Sequence, residues 1–194
     1  MSKIFAKIVS TIVSPVLILA VFPYVVILKA TGDLSAAFFW TIFSWIFLLA
    51  FFVFFLLGIE KGYFSDIDVS KRSQRPLLFT FSIGLSLFYV VFLYFLKAPD
   101  ILFITLFGLI FGLISMELVN RITKASVHVA AVSAFATALV LGFGPFYLLS
   151  FSLVPLVAWA RIKTHNHTRR QTVIGFSMGI LITLIVYVIF KYMV

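Results

Sequence analysis

Three polar segments, each lying directly before an apolar run, contain most of the side chains that could do chemistry. They are residues 64–76, 120–128 and 161–171, and the last two contain all three histidines of the chain. Arginine can clamp two phosphate oxygens with its planar guanidinium, and lysine adds a compact positive charge. Histidine can act as nucleophile, acid or base near neutral pH. Together these side chains predict recognition and transfer of a phosphoryl group, whose charge Arg and Lys can neutralise without metal.

The acidic residues are a poor basis for a metal site. Asp66 and Asp68 are the only closely spaced pair among six acidic residues. A Mg²⁺ ion bound through one such pair would take most of its ligands from water and substrate. Trp40, Trp45 and Trp159 are too scattered to form a cofactor cage, and the chain has no cysteine. We therefore expect neither a metal nor a cofactor.

Short motifs within these segments follow one another in a recognisable order. Arg75-Pro76 stands in the first segment, Ser126 and His128 in the second, and Arg161 and His167 in the third. This order resembles the type 2 phosphatidic acid phosphatase superfamily, the membrane lipid phosphate phosphatases related to vanadium haloperoxidases. That family carries the motifs KxxxxxxRP, PSGH and SRxxxxxHxxxD in the same order, and the resemblance spans residues 61–180.

The chain departs from the family pattern at several positions. Asp68 stands where the first motif has Lys, and the nearest candidate is Lys71. Ala125 and Val127 replace Pro and Gly of the second motif, and Gln171 replaces the Asp of the third. The pattern His-Thr-x-x-Gln that ends at Gln171 resembles a divergent branch of the superfamily.

The resemblance implies a metal-independent phosphatase that acts on a lipid phosphate or isoprenyl (di)phosphate through a phosphohistidine. In that mechanism His167 attacks phosphorus, and His128 protonates the leaving oxygen. The resemblance also implies side chains that hold the phosphate oxygens: Arg75, Arg161, Lys71, Lys124 and Ser126. Gln171 would accept the hydrogen bond that the family Asp accepts from the nucleophilic His, but without its negative charge.

The composition indicates that membrane-spanning elements position these residues. Of 194 residues, 63% are hydrophobic and 11% charged, against about 45–50% and 25% in soluble domains. This excludes a soluble globular protein, a disordered chain and a disulfide-stapled secreted module. Apolar runs of the length that a bilayer requires predict seven helices, at 8–28, 36–57, 77–96, 101–118, 129–141, 146–160 and 172–190. We expect a single all-α polytopic membrane domain over residues 1–194, with six to seven spans and a phosphatidic-acid-phosphatase-like core.

The basic residues indicate the orientation in the membrane. Seven crossings leave three basic residues on one side and place twelve on the side of the N-terminus: Lys3, Lys7, Lys61, Lys71, Arg72, Arg75, Arg121, Lys124, Arg161, Lys163, Arg169 and Arg170. A basic active site could itself account for Lys71, Arg75, Lys124, Arg161 and Arg169, but without these five, seven basic residues still face three. The positive-inside rule therefore predicts cytoplasmic site loops in the plasma (inner) membrane, with membrane lipids rather than nucleic acid as the partners of the +9 charge.

Two other functions stay open from the sequence. An intramembrane prenyltransferase would use Asp66, Asp68 and Arg75-Pro76 in one loop to hold Mg²⁺ and a diphosphate, although a second acidic motif is missing. A catalytically weak relative that binds or transports a phosphorylated lipid is supported by Gln171. Neither the particular lipid nor the oligomeric state follows from the sequence.

Overall fold

The protein is an all-α polytopic membrane bundle. The computed structural model describes the backbone of residues 2–193 and the side chains of residues 2–191, and no strand occurs in this part of the chain. Its α-helices are α1 (Lys3–Ile12), α2 (Pro15–Thr31), α3 (Leu34–Glu60), α4 (Arg75–Phe95), α5 (Asp100–Ile122), α6 (Val127–Phe143), α7 (Leu153–Lys163) and α8 (Arg169–Met193). Six helical stretches in the described residues are long and apolar enough to cross a membrane, and α6 is a shorter apolar helix.

The first predicted helix is interrupted in the structure. We predicted one helix over 8–28, but α1 ends at Ile12 and α2 begins at Pro15. Proline has no amide N–H to continue a helical ladder, yet it suits the first position of a new helix. Ser14 caps that new helix, because its hydroxyl accepts a hydrogen bond from the amide of Leu17 at 3.3 Å.

The Gly-Pro cluster at 142–145 forms a turn, as predicted. Helix α6 ends at Phe143, Gly144 has a φ of +101°, and a 3₁₀ segment follows over Pro145–Ser152. The predicted helix at 146–160 is therefore only half α-helical, and Pro155 in the first turn of α7 has no amide N–H with which to continue an α-helical ladder from the preceding turn. The chain then returns to the start of α6, where Lys124 Nζ donates to the carbonyl of Asn166 at 2.9 Å. A single bent helix over α6 and α7 is excluded.

The chain forms two compact units. The terminal unit combines the residues up to Ile18 with those from Leu118 onward, and the central unit is Leu19–Glu117. Apolar side chains of α2, α3, α4 and α5 build the core of the central unit, and those of α1, α6 and α7 build the core of the terminal unit. Both boundaries fall inside helices, so no linker marks them in the sequence. The single-domain interpretation stays a prediction.

Helices α6 and α8 of the terminal unit lie parallel and in close contact. A methyl group at Gly175 would meet the carbonyl oxygen of Ser126, and one at Gly179 would meet that of Ala130. Four residues further on, Thr183 Oγ1 donates to the carbonyl of Ala134 at 3.5 Å. Each advance of four residues along α8 is thus matched by an advance of four residues along α6. Small residues at this spacing allow the two backbones to approach closely.

This contact predicts a large stability difference between two glycine substitutions. In Gly179→Ala the added methyl collides with the carbonyl oxygen of Ala130 and the hydroxyl of Ser133. Overpacking of this kind costs about 1–3 kcal/mol, so the thermal midpoint in detergent should fall. Gly142→Ala on α6 is the matched control, because nothing lies within 4 Å of its added methyl. Its stability should be unchanged or raised by up to about 1 kcal/mol. Equal midpoints for the two variants would contradict the packing described here.

Candidate active site

The start of α8 is organised by a capping box. The hydroxyl of Thr168 accepts a hydrogen bond from the amide of Gln171 at 3.3 Å, and Gln171 Oε1 accepts one from the amide of Thr168 at 3.2 Å. A Thr followed three residues later by Gln is the sequence pattern for this reciprocal pair, which satisfies two helix-end donors. The bond from the Thr168 amide also fixes which end of the Gln171 side-chain amide faces the cap, because only its oxygen can accept.

His167 lies against the same oxygen. Its Nδ1 is 3.1 Å from Gln171 Oε1, and the His167 side chain is only 6% exposed. Since Oε1 can only accept, the short contact requires His167 Nδ1 to carry the proton and donate it. In the neutral imidazole the lone pair then resides on Nε2. The arrangement therefore selects the tautomer in which Nε2 is the nucleophilic nitrogen.

Arg161 lies near the end of α7, and α1 holds its side chain. Arg161 Nη1 donates to Ser10 Oγ at 2.8 Å, and both residues are buried. The carbonyl of Arg161 accepts from the amides of Asn166 at 3.1 Å and His167 at 3.2 Å. This turn returns the chain over the end of α7, with the exposed His165 at a φ of +61°. The backbone of Arg161 thus positions His167, and Ser10 positions the guanidinium of Arg161.

The segment before α6 closes the same region. The amide of Ser126 donates to the carbonyl of Gln171 at 3.1 Å, which ties the start of α6 to the first turn of α8. Lys124 is half-buried, and its Nζ reaches the Asn166 carbonyl within the turn that leads to His167. Ser126 is fully buried, and its Oγ has no hydrogen-bond partner within the described part of the chain. This hydroxyl is therefore a buried donor that none of the described residues satisfies.

His128 lies in the first turn of α6, two residues after Ser126, and its side chain is half-buried. The hydrogen bond from Ser126 to α8 brings this turn to the end of the terminal unit that contains His167. Both histidines of the predicted motifs therefore belong to one end of one unit.

The predicted phosphate ligands Lys71 and Arg75 belong to the central unit. Arg75 is 4% exposed, and its Nε donates to the carbonyl of Val69 at 3.2 Å. Val69 is buried beside Phe55 and Phe64 at a φ of +45°, a conformation that is unusual for a β-branched residue. Arg75 therefore supports the backbone of a folded loop before α4. Lys71 in the same loop is exposed.

Asp66 organises that loop from within. Its carboxylate accepts hydrogen bonds from the hydroxyls of Ser65 and Ser70, both at 2.9 Å, and from the amides of Asp68 and Ser70. Partial burial would raise the pKa of Asp66, but these donors lower it below its ordinary value. The loop stabilisation from this carboxylate is therefore present above the ordinary pKa of an aspartate and is lost as pH falls through the lowered value. These contacts give Asp66 a structural role in the loop.

All acidic residues of the chain lie in the central unit, the last being Glu117 at its final position. The terminal unit has no Asp or Glu but contains nine basic residues: Lys3, Lys7, Arg121, Lys124, Arg161, Lys163, Arg169, Arg170 and Lys191. Two of these basic residues, Arg161 and Lys124, contact the turn that leads to His167. In the described residues, no group of three or more His, Asp or Glu side chains could hold a metal ion.

The structure joins five of the predicted site residues by a continuous set of contacts: Arg161, His167, Gln171, Lys124 and Ser126. Sequence reasoning missed Ser10 and Thr168. The capping-box spacing from Thr168 to Gln171 was visible in the sequence and could have identified Thr168. Ser10 follows Ala6 and Val9 on the buried face of α1, but nothing local names Arg161 as its partner.

Comparisons with known proteins add no identification. No family model matches the chain, and neither the curated proteins nor the solved structures contain a significant match to it.

Proposed function

We propose that this protein is an integral membrane phosphatase that hydrolyses a lipid phosphate or an isoprenyl (di)phosphate through a phosphohistidine. The observation that carries the proposal is the contact between His167 Nδ1 and Gln171 Oε1, with that oxygen oriented by the capping box. It presents Nε2 of a buried histidine as a nucleophile in a region rich in positive charge. The resemblance to type 2 phosphatidic acid phosphatases supports the same assignment for His167.

The proposed reaction has two steps. His167 Nε2 attacks phosphorus, the bond from phosphorus to the leaving oxygen breaks, and protonated His128 gives its proton to that oxygen. The phosphorylated ring carries a positive charge and still donates its Nδ1–H to Gln171. Neutral His128 then takes a proton from water, whose oxygen attacks phosphorus and releases inorganic phosphate from His167.

Positive side chains of the terminal unit would neutralise the phosphoryl charge. Arg161, held by Ser10, can bind phosphate oxygens. Lys124 adds a point charge, and the Ser126 hydroxyl is a buried donor without a partner among the described residues. We propose these side chains rather than a divalent cation because the unit lacks the carboxylates that such ions prefer. The roles of Lys71 and Arg75 as phosphate ligands rest on the resemblance alone and stay predictions.

Phosphate release in detergent tests this function. The purified protein should release inorganic phosphate from at least one member of a panel of lipid monophosphates and isoprenyl diphosphates, with EDTA present throughout. Turnover that requires Mg²⁺ would contradict the proposal and favour the prenyltransferase. Saturable binding of these lipids without any phosphate release would contradict it in favour of a binding or transport protein.

We predict that Ser10→Ala lowers kcat/KM by at least about tenfold. The substitution removes a hydrogen bond to a charged group, worth about 1.5–3 kcal/mol, and so releases the guanidinium of Arg161 from α1. Ser10→Thr keeps the hydroxyl and should restore most of the activity. Steady-state kinetics of the two variants, with their thermal midpoints measured alongside, separate positioning from folding. Full activity in Ser10→Ala would show that Arg161 needs no support from α1.

We place the His167 end of the terminal unit at the cytoplasmic face of the membrane. The distribution of basic residues carries this orientation. Because the chain has no cysteine, Lys163→Cys introduces a single thiol at the end of α7. A membrane-impermeant thiol reagent should label it only after cells are permeabilised. Lys97→Cys, on the predicted opposite side of the membrane, is the comparison. Labelling of position 163 in intact cells would reverse the orientation.

A further inference from the structure

A groove runs between α7 and α8 of the terminal unit. Two adjoining cavities of about 320 and 550 Å³ share Pro155 and Ala158 of α7 and Thr172 and Val173 of α8. Both are open depressions at the surface of the unit rather than enclosed cavities. Because the cavities share four lining residues, they form one elongated depression rather than two separate sites.

The two ends of the groove differ in chemistry. One end is lined by apolar side chains, among them Phe151, Val154 and Phe176. The other end contains Lys163 and Arg169 beside Trp159, and both cationic residues are exposed. An apolar groove that ends at two cations is complementary to a molecule with a hydrocarbon chain and an anionic head.

The charge of the surrounding unit strengthens this complementarity. Lys163 ends α7 and Arg169 begins α8, and the unit to which they belong has no Asp or Glu. Neither cation can therefore pair with a side-chain carboxylate of its own unit. A basic residue near a membrane surface gains about 1 kcal/mol from anionic lipid, and an arginine also binds phosphate oxygens through two donors.

We propose that this groove binds one anionic glycerophospholipid, with an acyl chain along α7 and α8 and the phosphate between Lys163 and Arg169. None of the proposed catalytic residues His128, Arg161, His167 and Gln171 lines the groove. The inference therefore goes beyond the phosphatase function and does not depend on it. Lys163, which sequence reasoning treated as a topology signal, becomes a lipid ligand.

Fluorescence of Trp159 provides the test. Of the three tryptophans, Trp40 and Trp45 lie in α3, and phenylalanine at both positions leaves Trp159 as the single reporter in the groove. The protein is reconstituted in phosphatidylcholine vesicles that contain a minor fraction of brominated phosphatidylglycerol or, in parallel, of brominated phosphatidylcholine. Bromine quenches tryptophan on contact. We expect stronger quenching by the anionic lipid at the same mole fraction.

The preference should depend on the two cations. Lys163→Gln and Arg169→Gln should each reduce it roughly fivefold, the equivalent of about 1 kcal/mol per basic residue. Lys191→Gln, at the other end of α8, is the matched control and should keep the preference. His167→Ala should also keep it, which separates this proposal from the catalytic one. Equal quenching by the two lipids would overturn the proposal. So would an unchanged preference in a protein that carries both Lys163→Gln and Arg169→Gln.

A second measurement avoids the tryptophan substitutions. Wild-type protein and the Lys163→Gln/Arg169→Gln double variant are purified in detergent from the same mixture of phosphatidylglycerol and phosphatidylcholine, and bound lipid is counted by mass spectrometry. The wild type should retain about one phosphatidylglycerol per chain, and the double variant should lose it. Equal retention by both proteins would contradict the site.

Discussion

Replacing His167 by alanine should lower phosphate release by about 10⁴-fold or more. The substitution removes the attacking Nε2, and enzymes that lose their covalent nucleophile lose rate on this scale. The fold should survive, because the backbone bond from the His167 amide to Arg161 and the capping box of α8 do not use the imidazole. Single-turnover and steady-state assays of the purified variant, with its thermal midpoint as a folding check, measure the effect.

His165 offers the matched control for this prediction. It lies two residues before His167, is exposed, and has a positive φ that asparagine also tolerates. His165→Asn should therefore keep nearly all of the activity. A His167→Ala protein with residual turnover near the wild-type rate would exclude His167 as the nucleophile. An equal loss in His165→Asn would show that the assay reports the integrity of the turn rather than its chemistry.

The substitution Gln171→Glu should raise the rate of phosphoryl transfer about tenfold. Phosphorylation of His167 on Nε2 creates a positively charged ring whose Nδ1–H faces Gln171 Oε1. A carboxylate there converts a neutral hydrogen bond into a charge-assisted one, a gain of about 1–1.5 kcal/mol. Glutamate has the length of glutamine and is the ordinary partner in a capping box, and its charge suits the helix N-terminus. Rapid-quench kinetics of the first turnover measure the gain.

Two further substitutions at this position separate charge from geometry. Gln171→Asp supplies the charge that the related phosphatases carry, but its side chain is one carbon shorter and has to reach both Thr168 and His167. Its gain should be smaller than that of Gln171→Glu. Gln171→Ala removes the acceptor and the capping box, so both the rate and the stability should fall, the latter by about 1 kcal/mol. A Gln171→Glu protein that is no faster than wild type would show that Gln171 does not act through His167.

Most of the helices could be predicted because hydrophobic length is a direct consequence of the membrane thickness. The errors occur where proline and capping decide the local structure. The interruption before Pro15 and the 3₁₀ segment before α7 both depend on where a missing amide can be tolerated. The early start of α8 at Arg169 depends on its Thr168 cap, which a hydropathy pattern does not register. The division into two units has no local signal, because it is set by packing between distant helices.

One contact of the candidate site was expected from the sequence. The resemblance implied that Gln171 accepts a hydrogen bond from His167, and the structure has this contact, with His167 just before the Thr168 cap of α8. The contact between Ser10 and Arg161 joins residues 151 positions apart and could not be read from either neighbourhood. The role of Asp66 was open from the sequence, since a loop carboxylate can bind a cation or its own backbone. In the structure, the Asp66 carboxylate accepts hydrogen bonds from backbone amides of its own loop.

Direct detection of the phosphoenzyme is the sharpest test of the account. Purified protein is mixed with a substrate lipid phosphate, quenched within the first turnover at alkaline pH, where phosphohistidine survives, and digested for mass spectrometry. We predict a phosphoryl group on His167, none on His165, and no phosphoenzyme in His167→Ala. Sustained phosphate release without a phosphorylated His167, or with the phosphoryl group on another residue, would contradict it.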